Sequence, residues 1–473
     1  MSLRHANDVT RYTPLFAFLA VYVATCLTGA LLLLSRWDPF LSLFVYFTGT
    51  RPPDLDRPQL VVALTLLFAP PLLLAAGYAF GLVVSLGRGH RGSRRREVTQ
   101  KPWALGTPSW VPHAVFYVVA TRAAIEIGRA GVVLDISSWL NYSEWIEARA
   151  STFEQITFFG FVNVYMFLPL ATAWAFLTPW GRRLGIVLPD GRSFSLPLAR
   201  WAPPVITGIL SLLLFQKKTI VVSILIIVIA WLAHSQRQRL QLRRIGAALL
   251  AAVAMGYFAL VIVPVYRQAS GYAPVSGGQY VPAVVAYAAL APLTRTAGPS
   301  IYYPVVFPDE HPYYGLDLGQ DVLGVGDAPD DNRVIWDRMN RGVEGSVATP
   351  FQFALYSQVG LLPTLALSVL IGFLVALAWR MAHDPRWPRL WSALLSSLVT
   401  LLGIYLAIES PRNSILVSYG VAWGFLFVLG AALAITMTRR LLHADTYATP
   451  ERLRSSHLPP ASETSWDVRD SRS

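Results

Sequence analysis

The chain has 473 residues, of which 54% are hydrophobic and only 14% charged, where a soluble chain of this length carries about a quarter charged. With a mean hydropathy of +0.47 and apolar runs of roughly 20 residues recurring along its length, the composition excludes an ordinary soluble domain. The net charge of +12 does not describe a nucleic-acid face, because the basic residues fall in every second loop between apolar runs, the pattern that fixes membrane topology.

The predicted fold is all-α, a polytopic membrane protein with ten spans over about 13–35, 60–86, 108–128, 156–177, 201–216, 219–233, 245–264, 352–379, 391–408 and 414–436. These spans make one membrane domain over residues 1–443, and the polar, Ser-rich tail 444–473 reads as disordered. Arg4 and Arg11 precede the first run, which is too long for a signal-peptide core and reads as an uncleaved first span. It contains Cys26, the one cysteine of the chain, so an intrachain disulfide and a multi-cysteine zinc site are both excluded.

Pro70 and Pro71 predict a kink in the second span, with freed carbonyls that need partners on neighbouring helices. Arg122 and Glu126, four apart in the third span, are placed to pair on one helix face. The fifth and sixth spans form a hairpin around Gln216-Lys217-Lys218. The termini and the loops 87–107, 178–200, 234–244 and 380–390 hold 25 of the 39 Lys and Arg residues, while 18 of the 27 acids lie on the opposite side. By the positive-inside rule both termini are cytoplasmic, and for a bacterial inner-membrane protein the opposite face is periplasmic.

On that outer side lies one long polar insertion, the loop 265–351 between spans seven and eight. The sequence has no GxxxxGK[ST] loop, no GxGxxG following a strand, no HExxH and no GxSxG. An enzyme on this face therefore needs a substrate that is already activated, and a lipid-linked sugar diphosphate fits. Guanidinium or ammonium groups would hold the diphosphate. A carboxylate or imidazole would take the acceptor proton, and aromatic faces would carry the sugars. Arg295, Tyr302, Tyr303, Asp309, Glu310, His311, Tyr313 and Tyr314 supply all three within about twenty residues.

Arg295, Asp309, Glu310 and His311 are the candidate catalytic residues. Lys217, Lys218, Arg267, Tyr302, Tyr303, Arg338 and Arg341 are the candidate substrate ligands. Arg295 follows VPAVVAYAALAPLT, which reads as a short helix lying on or dipping into the membrane, where a cation faces a cavity or a partner. Plainer alternatives stand beside several of the others: solvated side chains for Arg338 and Arg341, as for the neighbouring Arg333, a hydrogen-bonding loop residue for His311, and snorkelling lysines at 217 and 218. Asp327, Asp330 and Asp331 in DAPDD read as a solvated loop.

The runs LTRTAGPSIYYPVVFPDEHPYYG and GVEGSVATPFQFALYSQVGLLPTLALSVLIG resemble the O-antigen polymerase and oligosaccharide repeat-unit polymerase group. The hairpin LLLFQKKTIVVSILIIVIAW is similar to the basic-centred pair of spans of that group, with two lysines where an arginine is more familiar. The resemblance implies transfer of a growing glycan from undecaprenyl diphosphate to a new lipid-linked repeat unit, with no metal, nucleotide or nucleic acid, and it leaves open a chain-length regulator as partner. An O-antigen ligase uses the same donor. A metal-dependent glycosyltransferase of the GT-C class would draw on Asp38, Asp54 and Asp56 of the first outer loop, and a polysaccharide flippase is the reading from another class.

Overall fold

The apolar run Thr13–Leu34 forms the first helix, α1, in the computed structural model of the chain. The structure describes residues 11–38, 40–41, 44–45, 51–93, 110–129, 167–178, 185–187, 193–195, 198–213, 217–234, 296–315, 331–339, 347–384, 387, 389–409 and 430. Midway along α1 the helix widens into a π turn over Val23–Leu27, where the Thr28 N–H reaches back five residues to the Val23 carbonyl. Arg36 ends the helix in the left-handed conformation, φ 54°, and its guanidinium pairs with Asp54.

α2 (Arg57–Ser93) starts at a reciprocal cap. The Asp56 carboxylate accepts the Gln59 N–H at 2.8 Å and the Gln59 amide oxygen accepts the Asp56 N–H at 3.2 Å, which satisfies two donors that a helix start leaves orphaned. The helix runs on through Pro70 and Pro71. Pro71 has no N–H to give the Leu67 carbonyl, and the Tyr22 hydroxyl of α1 donates to that oxygen at 2.8 Å. The carbonyl freed by the proline thus finds its partner on a neighbouring helix, as the dry interior of a bundle requires. The opposite face of α2, with Phe68, Leu72, Phe80 and Val83, is exposed and apolar.

α9 (Leu361–Ala382) lies along α2 in unusually close contact. A Cβ on Gly372 would stand 2.0 Å from the Leu74 carbonyl oxygen, and one on Gly77 would stand 2.1 Å from that of Val369. Gly77 and Gly81 on α2 face the row Ser368, Gly372 and Ala376 on α9, so small side chains let the two backbones touch. α1, α2 and α9 are the helices long and apolar enough to cross a membrane among the described residues.

A second cluster gathers α3 (Val111–Arg129), α4 (Leu168–Leu177), α6 (Lys217–His234) and α10 (Arg389–Leu406), and a third packs α5 (Leu198–Leu213) against α3 and α4. Trp174 of α4 packs on Trp391 of α10 with ring centroids 5.2 Å apart. The Thr172 and Thr207 hydroxyls join α4 to α5 at 2.6 Å. Glu126, buried on α3, pairs with Arg122 one turn earlier, as the spacing predicted.

Two departures from the expected all-α layout are local. Gly185–Val187 (β1) and Ser193–Ser195 (β2) pair antiparallel, with Ile186 opposite Phe194, across a connection that contains Pro189-Asp190-Gly191, a strong turn sequence. The expected eighth span, 352–379, is two helices: α8 (Phe351–Val359) and α9, broken at Gly360. The expected span 245–264, the span 414–436 apart from residue 430, and the tail 444–473 lie outside the described residues. So does the helix expected over VPAVVAYAALAPLT.

Candidate functional site

The polar insertion does not stay at the end of the bundle. Residues 296–300 form a helical turn buried against the middle of α1. The Thr296 hydroxyl donates to the Thr25 carbonyl at 2.6 Å, and the Ser300 hydroxyl meets the Cys26 thiol at 3.6 Å. Thr25 stands nine residues before the end of α1, so at 1.5 Å per residue this contact lies about 14 Å inside the bundle. From there the chain climbs: the Tyr302 hydroxyl reaches the Arg51 carbonyl at 2.7 Å, and a π turn over Val306–Glu310 brings it to the surface.

A second segment does the same. Val347–Pro350 is extended and buried, and α8 begins deep in the bundle, with the Phe351 ring 5.9 Å from that of Phe18. α8 then rises to the end where α1 finishes. There its last carbonyls, Ser357 and Gln358, accept the Tyr314 and Gly315 N–H groups at 3.1 and 2.7 Å, as an open helix end needs. At Gly360 the chain reverses, with φ 78° and ψ −175°, a conformation open in practice only to glycine. A Cβ there would also meet the Tyr313 ring at 3.3 Å. Gly360→Ala is therefore expected to lower stability by about 1–3 kcal/mol, read as a lower midpoint in thermal unfolding of the detergent-purified protein.

The two re-entrant segments are locked by a buried polar network centred on Asp331, the first residue of α7 (Asp331–Arg338). Its carboxylate accepts the Tyr303 hydroxyl at 2.8 Å and the Ser357 hydroxyl at 3.0 Å. Thr349 donates to the Asn332 amide oxygen and lies 3.1 Å from the Tyr303 hydroxyl. Asp331 is 6% exposed, which corrects its reading as a solvated loop residue. Its position at the start of α7 also sets the negative charge against the positive end of the helix dipole. Asp327 and Asp330 lie outside the described residues.

At the surface above this network the structure collects several predicted residues. Arg338 grips Glu310 through both oxygens, Nε to Oε2 and Nη2 to Oε1, each at 2.8 Å. The side chains are 52% and 40% exposed, so the bidentate pair contributes about 1 kcal/mol or less to stability and its guanidinium stays open to exchange. His311 stacks on Tyr314 with centroids 4.6 Å apart and sits edge-on to Phe307 at 5.5 Å. Its Nδ1 lies 2.7 Å from the Pro312 carbonyl. That oxygen can only accept, so Nδ1 carries the proton of the neutral ring and Nε2 holds the lone pair. Asp309 and Tyr313 are exposed on the same face.

Tyr302 and Tyr303 are not part of that surface. Both are buried and hydrogen-bonded inside the fold, so they serve as structural ties and offer no open ring to a sugar. Arg295, Arg267 and Arg341 lie outside the described residues. Lys217 and Lys218 open α6, and their side chains are likewise outside the description. Asp54 and Asp56, which a metal-dependent reading would use, are engaged by Arg36 and by the α2 cap. Comparison with models of protein families, with curated proteins and with solved structures returned no match.

Proposed function

We propose that the protein is a membrane glycosyltransferase of the bacterial inner membrane that polymerises lipid-linked oligosaccharide repeat units at the periplasmic face. It transfers the growing glycan from undecaprenyl diphosphate to a new repeat unit and serves O-antigen, capsule or exopolysaccharide assembly. The observation that carries this reading is the exposed face formed by His311, Tyr313, Tyr314 and the Glu310–Arg338 pair. On it an imidazole with its basic nitrogen at Nε2, two aromatic rings and a planar cation stand together.

In this reading His311 Nε2 takes the proton of the acceptor hydroxyl as the glycosidic bond forms. Arg338 exchanges Glu310 for phosphate oxygens of the departing diphosphate, a group its fork matches in shape and charge. Arg295 is the second cation for that leaving group, and Lys217 and Lys218 anchor the carrier at the membrane surface. An O-antigen ligase would use the same parts with a different acceptor. A flippase for the same lipid-linked glycan is the second reading, supported by the discontinuous α8, whose N-terminus opens inside the bundle as half-helices do in transporters.

The test is deletion of the gene and complementation with the wild type, His311→Ala and Arg338→Ala. Loss of a general base (His311) or of a charge-stabilising donor at the leaving group (Arg338) lowers turnover about 100-fold or more, so each variant is expected to leave single repeat units on the final acceptor and no ladder on a glycan gel. Wild-type ladders from both variants would remove these residues from the site. Polymer retained on the carrier lipid in the deletion strain would indicate a ligase, and repeat units trapped on the cytoplasmic side a flippase.

A further inference from the structure

Among the described residues of the polar insertion, Tyr313 is the one large aromatic side chain left exposed, at 38%. It is nevertheless held in place. Its ring lies over Gly360, so close that a Cβ there would meet Cε2 and Cζ at 3.3 Å. The ring also stands at 79° to that of Tyr356, with centroids 5.6 Å apart. Its hydroxyl bonds the Tyr356 hydroxyl. Tyr356 gives its one proton to the Phe307 carbonyl at 2.8 Å, so in this bond Tyr313 donates and Tyr356 accepts.

This orientation reverses that of a membrane-interface tyrosine, which sets its ring among lipid tails and keeps its hydroxyl in water. Tyr313 turns its hydroxyl inward and presents ring surface outward. Its surroundings are polar: Pro308, Asp309, Glu310, Pro312 and Gly315 are exposed on the same turn, and two of them carry a negative charge. The Asp309 carboxylate is near enough to the Tyr356 hydroxyl to act on it electrostatically, which sets it close to Tyr313 as well. Tyr314 differs, because Phe307 and His311 stand against it at 5.9 and 4.6 Å.

A fixed ring beside a carboxylate at a wet surface matches one class of ligand. A sugar ring has an apolar face of C–H groups that packs on an aromatic ring, and hydroxyls at its rim that donate to a carboxylate. The negative charges of Asp309 and Glu310 disfavour an acidic sugar. A tyrosine already held by Gly360 and Tyr356 loses little freedom when a ligand arrives, so little of the contact is offset by ordering. We propose that Tyr313 and Asp309 form a sugar subsite, in which an uncharged sugar ring of the lipid-linked repeat unit stacks on Tyr313 and donates a hydroxyl to Asp309. The identity of the glycan rests on the glycosyl-transfer reading, in which His311, two residues along the same turn, takes the acceptor proton.

The probe is the oligosaccharide released from the lipid-linked repeat units of the cells that make the protein. Its binding to detergent-purified, full-length protein is read by saturation-transfer NMR, and its Kd by titration. Wild type is expected to bind it, with the strongest transfer to C–H protons on one face of one sugar ring. Tyr313→Ala is expected to weaken binding about tenfold or more, as loss of an aromatic anchor does. Tyr313→Phe keeps the ring and should stay within about threefold of wild type. Asp309→Asn changes an exposed side chain, so it tests the subsite without depending on how Tyr313→Ala folds, and a loss of about threefold or more is expected. No binding by the wild type, or a wild-type Kd in either Tyr313→Ala or Asp309→Asn, overturns the subsite. The glycosyl-transfer reading fails separately: wild-type ladders from His311→Ala and Arg338→Ala would remove it, while the expected order of Kd values would still establish a sugar subsite.

Discussion

Gly372→Ala is expected to leave no folded protein in the membrane fraction. The new Cβ would lie 2.0 Å from the Leu74 carbonyl oxygen and 2.9 Å from the Tyr78 nitrogen, distances that only backbone movement can relieve. On α2 the Leu74 carbonyl belongs to a continuous helix, and on the other side Gly77 already stands at its own limit against Val369. Separating the helices enough for one methyl would break the contact along its whole length, including Gly81 against Ala376. Two apolar helices in lipid gain nothing from hydrophobic exclusion of each other, so close packing is what holds them and its loss is not made up elsewhere. The effect should exceed about 4 kcal/mol, the range of the severest core substitutions. Gly128→Ala on α3 is the control, because a Cβ there meets nothing within 4 Å. Membrane-fraction immunoblots and size-exclusion profiles of a fluorescent fusion read the outcome. A monodisperse Gly372→Ala protein at wild-type yield would mean that α2 and α9 do not pack as described.

Asp331→Ala carries the next largest effect. The substitution removes the charged acceptor that joins two buried hydroxyls, on Tyr303 and Ser357, and leaves a void where the carboxylate had been, with the Asn332 amide oxygen at 3.3 Å and the Ala354 carbonyl at 2.8 Å left to receive them. A hydrogen bond to a charged group is worth about 1.5–3 kcal/mol, and with two of them lost and weaker local acceptors taking over in part, a loss of about 2–4 kcal/mol is expected. The damage also reaches the surface. Asp331 fixes the start of the helix that carries Arg338, and Tyr303 fixes the segment that carries Glu310 and His311. Loosening the network therefore lets the exposed groups drift apart. Tyr303→Phe should cost less, since it removes one hydroxyl and keeps the ring between Phe307 and Phe353. Thermal unfolding of the two variants checks the order, and equal midpoints for Asp331→Ala and the wild type would show that the network is not structural.

Hydropathy made the membrane-embedded, helical class legible, along with the positions of α1, α2, α3 and α10. The need created by Pro71 was legible too, although its answer, Tyr22, was not, because one carbonyl gives no sign of which neighbour will face it. What hydropathy misread is the region after residue 295. A re-entrant pair and a crossing helix have the same apolar composition, so FQFALYSQV joined to LLPTLALSVLIG read as one span. The break was nevertheless written in Gly360 followed by Pro363, a glycine that can reverse the chain and a proline tolerated in the first turn of the helix that follows.

Asp331 was misread for a related reason. Charge along a polar loop signals solvent only when the loop stays outside, and nothing local says that Tyr303 and Ser357, 28 and 26 residues away, will enclose it. The short hairpin over 185–195 and the cap at Asp56 did have local signals, Pro-Asp-Gly and an Asp three residues before a Gln. Tyr302 and Tyr303 show the converse limit: composition placed aromatic rings near the charged corner, but only the fold decides which of them face outwards.

The burial of Cys26 bears on how this topology can be mapped. Its thiol is fully enclosed by α1 and the 296–300 turn, and a thiol cut off from water meets aqueous maleimides slowly. The natural chain therefore already serves as a silent background for single-cysteine labelling. Reporter cysteines at Arg51, Gly315 and His383 could be added without touching the native residue, and membrane-impermeant reagents would then assign each position to one side of the bilayer.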